Sequence, residues 1–153
     1  MDSTFFQEIA NEIKGLHNQA ARLIQEKKLS EADALYKRAL KTTSMLNYHD
    51  GMAVCFYNMA NLEILRENYV DAITYASLSK EMHEKASTDS DRTDELLKHL
   101  AKAAMCKGMK LEKEGALQEA VEHYYACMPF ADEKFKMAMF QEIKLIKKVM
   151  TNG

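Results

Sequence analysis

The chain reads as an all-α protein: an array of about three helix hairpins closed by a C-terminal capping helix, about seven helices in all. Three observations predict this. Ala, Leu, Lys, Glu and Met are plentiful, while 153 residues contain one proline, five glycines and no tryptophan, a mixture rich in helix formers and poor in breakers. Apolar residues recur at three- and four-residue steps in one stretch after another, the period of a helix with one buried face. Small residues then return at matching places in successive stretches, as they must where helices pack closely. The length suits one domain over 1–153 with a real core.

Taken in order, Asp2 or Ser3 is placed to cap a first helix running to about Lys27, with Phe6, Ile9, Ala10, Ile13, Leu16, Ala20, Leu23 and Ile24 as its apolar members. Lys27, Lys28 and Leu29 turn the corner, and Ser30 with Asp33 forms a variant capping box for a second helix bearing Ala32, Leu35, Tyr36, Ala39 and Leu40. Hairpin 1 thus covers about 3–47. Residues 47–51 make a turn, with Asp50 as cap of helix three (Val54, Phe56, Met59, Ala60, Leu62, Leu65); Asn68 caps helix four, and hairpin 2 covers about 50–86.

Residues 86–95 contain no large apolar side chain and read as a polar loop. A linker between two domains is the other reading, but each half would have a marginal core. Helix five spans roughly Asp94–Glu114 with Gly115 as its stop, helix six carries Leu117, Ala120, Val121, Tyr124 and Cys127, and hairpin 3 covers about 94–128. Pro129 suits the first turn of a last, capping helix over about 129–150, after which Thr151, Asn152 and Gly153 fray.

Aligning on Ala32, Ala72 and Ala120 exposes the repeat. Four residues later stand Tyr36, Ala76 and Tyr124; seven later, Ala39, Ser79 and Cys127; twelve before, Ala20, Ala60 and Gly108; three before, Leu29, Tyr69 and Leu117. Small facing residues let two antiparallel helices approach, and a large residue plugs each corner.

With Phe56-Tyr57-Asn58-Met59-Ala60-Asn61 followed by Tyr69-Val70-Asp71-Ala72-Ile73-Thr74-Tyr75 as its best-matching unit, the chain resembles the tetratricopeptide-repeat family over roughly residues 13–128. Gln19, Glu63 and Lys107 depart from the large apolar residues of the family pattern, and the closing proline is missing from the first two units. The alanine spacings of 40 and 48 residues exceed the family's usual 34. The first excess resembles the longer-helix variety of the repeat, and the second is assigned to the polar loop.

The resemblance implies a right-handed superhelical array whose first helices line a concave groove that takes extended peptides. By offset from Ala20, Ala60 and Gly108, the groove positions are Lys14, His17 and Asn18 on the first unit, Tyr57, Asn58 and Asn61 on the second, and Lys102, Met105, Cys106 and Met109 on the third. An asparagine amide there can donate to one peptide carbonyl and accept from one N–H, holding a strand-like ligand without reading its side chains. Family members that grip a C-terminal carboxylate use a clamp of lysines, asparagines and an arginine. Only Asn58 and Lys102 match it, and His17, Ala21 and Cys106 stand at its other places, so a standard clamp is not implied. Lys102 with Lys14 would still attract an acidic ligand.

Other chemistry is not indicated. A net charge of −2 with both signs interspersed leaves no nucleic-acid footprint. No apolar run approaches the ~18 residues of a membrane span, and the first residues lack the form of a signal peptide, which makes the cytoplasm the default location. Cys55, Cys106 and Cys127 read as reduced thiols; the five histidines show no ligand spacing, and His83-Glu84 lacks the second histidine of a zinc-protease motif. No catalytic residue, metal or cofactor is expected. The eleven methionines read first as core filling and second as a soft binding surface.

Three functional expectations follow. The first is a non-enzymatic scaffold binding a protein or peptide segment in the groove. The second is self-association through the C-terminal helix, which carries Phe130, Phe135, Met137, Phe140 and Ile143 on more than one face. The third is a peptide-sensing regulator acting with a separate output protein.

Overall fold

The short polar stretches between apolar runs leave the chain only enough length to reverse direction. In the structure, a computed structural model that describes residues 3–152, they become tight corners between helices. The elements are α1 (Ser3–Gln25), α2 (Leu29–Met45), α3 (His49–Leu65), α4 (Tyr69–Ala86), α5 (Asp91–Lys113), α6 (Leu117–Cys127), a 3-10 turn (Met128–Phe130) and α7 (Glu133–Asn152). No strand occurs among the described residues. Packing runs from neighbour to neighbour, α1 on α2, α2 on α3, and so on to α6 on α7, with α4 also reaching α6. The protein is all-α, three hairpins followed by a seventh helix.

The corners share one construction. Lys27, Asn47, Glu67, Ser87 and Gly115 each take a left-handed backbone, with φ of 62°, 52°, 60°, 56° and 83°. At the first, Lys27 N–H donates to Ile24 O (2.9 Å) and Lys28 N–H to Leu23 O (2.8 Å), and the same pair of bonds recurs at the other four. This is the Schellman arrangement, in which the last free carbonyls of a helix are satisfied by the turn itself. The first four corners fall at 27, 47, 67 and 87, twenty residues apart.

Left-handed backbone costs an L-residue about 1–2 kcal/mol, whereas glycine adopts it freely at a smaller entropic cost. Glu67→Gly is therefore expected to raise the unfolding free energy by up to about 1 kcal/mol. Gly115→Ala should lower it by about 1 kcal/mol through backbone strain alone, since an added Cβ there meets nothing within 4 Å. Urea unfolding of both variants checks the opposite signs.

These corners also explain where side-chain caps are absent. Ser30 and Asp50 lie one residue inside their helices, because the N-cap positions are Lys28 and Tyr48, without side-chain cap bonds. Lys28 O accepts from Ala32 N–H, the first bond of α2. Asn68 does hold the N-cap position of α4, but its side chain makes no cap. Its Nδ2 donates to Glu63 Oε2 at 2.9 Å, and Arg66 Nη1 donates to Glu63 Oε1 at 2.9 Å. The buried acid at the departure from the family pattern thus ties the corner to α3.

Every aligned small position is a close contact. Ala20, Ala32, Ala39, Ala60, Ala72, Ala76, Ser79 and Ala120 are 0 % exposed, while the plugging Leu29, Tyr69 and Leu117 are half-buried. Ser79 turns its smallness to use: its hydroxyl donates to Ala53 O (2.8 Å) and meets Thr93 Oγ1 (3.2 Å), joining α3, α4 and α5 inside the core. Around these positions Leu62, Leu97, Leu100, Tyr124, Ile143 and Ile146 fill the interior, each contributing about 1.5–3 kcal/mol by leaving water.

Five expectations need correction. The polar loop is only residues 87–90, because Asp91 already begins α5, where Asp89 Oδ1 accepts the Asp91 N–H. The second spacing excess therefore sits in α5, 23 residues against 17 in α3, and not in a loop. Pro129 lies in the 3-10 turn ahead of α7 rather than within its first turn. Thr151 and Asn152 remain helical, with Thr151 Oγ1 bonded back to Lys147 O and Lys148 O; Asp2 and Gly153 lie outside the described residues. Finally, Phe6 and Ala10 are exposed, since a 23-residue α1 outruns the 17-residue α2 it packs against by about 9 Å at 1.5 Å per residue.

Candidate functional site

On α3 one face carries Met59, Ala60 and Leu62 into the core, and the adjoining face keeps Tyr57, Asn58 and Asn61 half-buried. This is the side the first helices share, and three junctions lie along it.

Between α1 and α3, His17 Nδ1 accepts from Asn58 Nδ2 at 2.9 Å, which puts the neutral ring's proton on Nε2, 3.5 Å from Cys55 Sγ. The ring also lies 5.4 Å from that of Tyr36. This Cys–His–Asn grouping was invisible at a separation of 38 residues, although offsets from Ala20 and Ala60 put both residues on neighbouring first helices. It is packing chemistry. Cys55 is 0 % exposed, and burial pushes its thiol up to about 11, far from the thiolate a nucleophile needs.

Burial also holds the His17 pKa below the ordinary imidazole value of 6.5, since desolvation disfavours the charged ring. The unfolded chain thus binds the proton more tightly than the folded one. This group's contribution to stability is full above about pH 6.5, falls as pH drops below that value, and levels off below the folded pKa. His17→Gln should flatten that part of the decline. Urea midpoints of both proteins from pH 7.5 to 5 measure it.

Between α3 and α5, a cavity of about 230 Å³ is lined by Val54, Tyr57, Asn58, His83, Arg92 and Thr93 among others. The Arg92 guanidinium lies 5.1 Å from the Tyr57 ring centroid, a cation–π contact. Arg92 was missed because the sequence reading put it in the loop; its place in the first turn of α5 points it at α3.

Between α5 and α7 run two cavities of about 430 and 420 Å³. Met105, Phe135 and Met139 line both. Lys98, Lys102 and Cys106 border the first, and Met109, Glu112 and Glu142 the second. Tyr124 Oη donates to Glu112 Oε1 at 2.8 Å. A hydrogen bond to Glu112, together with that group's charge, raises the Glu142 pKa from its ordinary value.

The ten residues singled out by offset therefore divide. Tyr57 and Asn58 share the α3/α5 cavity, and Lys102, Met105, Cys106 and Met109 border the α5/α7 cavities. Asn61 donates to Tyr57 O within its own helix at 3.2 Å, and Asn58 gives one N–H to His17; each amide thus has a donor already engaged, and its oxygen is the better placed for a ligand. Lys14 and Asn18 are exposed on α1, beside half-buried His17. Phe130, Phe135 and Met139 escaped the selection because offsets within first helices take no account of the helix beyond the last repeat.

Among the described residues, no group of three or more His, Cys, Asp or Glu side chains is disposed to hold a metal ion, and no helix is long and apolar enough to cross a membrane. No protein-family model and no curated protein matches the chain. Among solved structures it is similar to the Yersinia enterocolitica type III secretion translocator chaperone SycD, at 16% identity and a TM-score of 0.44, over 93% of this chain and 88% of that one. A likeness of that extent carries no argument about function.

Proposed function

We propose that this protein is a non-enzymatic interaction scaffold, 1–153 acting as one unit, that seats an extended segment of a partner protein along the face shared by α1, α3, α5 and α7. The observation that supports it is the succession of junctions on that one face: the His17–Asn58 contact, the cavity holding Tyr57 and Arg92, and the apolar cavities between α5 and α7. Concave, largely apolar clefts with a few polar groups are what ligand sites are made of. Asn58 and Asn61 Oδ1 would accept from the peptide backbone, and Arg92, Lys98 and Lys102 would meet acidic side chains. Amide NMR titration with peptides selected from a random displayed library tests this. Shifts should concentrate at Tyr57, Asn58, Arg92, Met105 and Met109; shifts confined to the outer faces of α2, α4 and α6 would overturn it.

A second reading, self-association, is supported by α7, where Met137, Phe140, Leu145 and Val149 are 66, 49, 59 and 60 % exposed. Ile143, once counted among these, is 2 % exposed and packs inward. Light scattering of wild type and Leu145→Glu decides it: a dimer that the variant dissolves supports it, and a monomer at high concentration removes it.

A further inference from the structure

The two cavities between α5 and α7 share Met105, Phe135 and Met139 and so form one trough. Its middle is soft and apolar, and methionine side chains adapt to varied apolar partners. Its ends are opposite in charge. Lys98 and Lys102 border one end, and Glu112 and Glu142 border the other.

The countercharges do not cancel this polarity. Asp132, beside the lysines, has Oδ1 engaged by the Phe135 N–H at 2.9 Å, capping α7. Lys113, beside the glutamates, is exposed, whereas Glu112 and Glu142 are half-buried. The Tyr124 hydroxyl orients Glu112, and the nearby Glu112 carboxylate raises the Glu142 pKa. A ligand's ammonium or guanidinium between them would relieve the repulsion of the two carboxylates.

We propose that this trough selects peptide segments with a fixed polarity: an acidic side chain at the Lys98–Lys102 end, methionine-, leucine- or phenylalanine-sized side chains in the middle, and a lysine or arginine at the Glu112–Glu142 end. The proposal rests on the scaffold reading and supplies its ligand class. Lys102 and Glu112 stand about 15 Å apart along α5 at 1.5 Å per residue. An extended peptide rises about 3.3 Å per residue. The acid and the base therefore belong about four to six residues apart.

A random ten-residue library displayed on phage, selected in parallel against wild type, Lys102→Glu and Glu142→Lys, tests this. Lys102 is exposed and Glu142 half-buried, and circular dichroism verifies the fold of both variants. Wild type should enrich peptides with an acid and a base at that separation around an apolar centre. The best of them should bind Lys102→Glu and Glu142→Lys at least tenfold more weakly by fluorescence polarisation. Exchanging the matching charge in the peptide should restore affinity. Peptides that bind and shift the groove residues, but show no charge order or are indifferent to the exchanges, would overturn this inference and leave the scaffold intact. Failure to select any peptide, or a dimer that buries the trough, would overturn both.

Discussion

Replacing Gly108 by leucine is expected to lower the unfolding free energy by about 3 kcal/mol, at the upper end of what overpacking usually costs. A Cβ alone at this position would lie 2.7 and 3.0 Å from Tyr124 Cε1 and Cδ1 and 3.3 Å from His123 Cβ. The tyrosine ring cannot swing aside, being 3 % exposed and tied through its hydroxyl to Glu112. His123 Cβ is fixed to the backbone of α6, so α5 and α6 must separate. Gly15 provides the contrast: a Cβ there meets nothing within 4 Å, and Gly15→Ala should gain up to about 1 kcal/mol from helix propensity. Urea unfolding of the two variants should give opposite signs.

Leu62→Ala should cost about 3 kcal/mol, within the range for buried leucines that leave a cavity. Leu62 is 0 % exposed and packs in a cluster with Ala20, Ala32, Tyr36 and Met59. Those residues come from α1, α2 and α3, so the cavity opens at the joint between the first hairpin and the second. In an array whose units contact only their neighbours, weakening one joint uncouples what lies on either side. Unfolding followed by Tyr36 fluorescence, in a chain whose other tyrosines are replaced by phenylalanine, should run ahead of the loss of helicity. Leu65→Ala, at a position 57 % exposed, should change stability by less than about 1 kcal/mol.

The sequence carried the architecture because small-residue spacing reports directly on how closely helices approach. Ala20, Ala60 and Gly108 were aligned by type alone, and all three are buried contacts. Corner chemistry was less legible. Ser30 and Asp50 resemble caps, yet the turns through left-handed residues 27 and 47 bring Lys28 and Tyr48 to the N-cap positions; asparagine and glycine favour such a backbone, but Lys27, Glu67 and Ser87 give no sign of it. The polar stretch 86–95 looked like a loop because α5 begins with charged residues; Asp91 and Asp94 in its first turn suit a helix start. At the candidate site, offsets named positions on each first helix but not the pairings between helices. His17 with Asn58, and Arg92 with Tyr57, depend on side chains meeting from separate elements.

The chain of neighbour contacts has a consequence for how the molecule is made. No helix has to wait for a partner more than two elements away, so relative contact order is low and folding should be fast. During synthesis α1 and α2 can close as soon as both have emerged, and each later hairpin then docks on a finished surface. Of the described helices α7 docks after the three hairpins, on the surface that α6 and the 3-10 turn present.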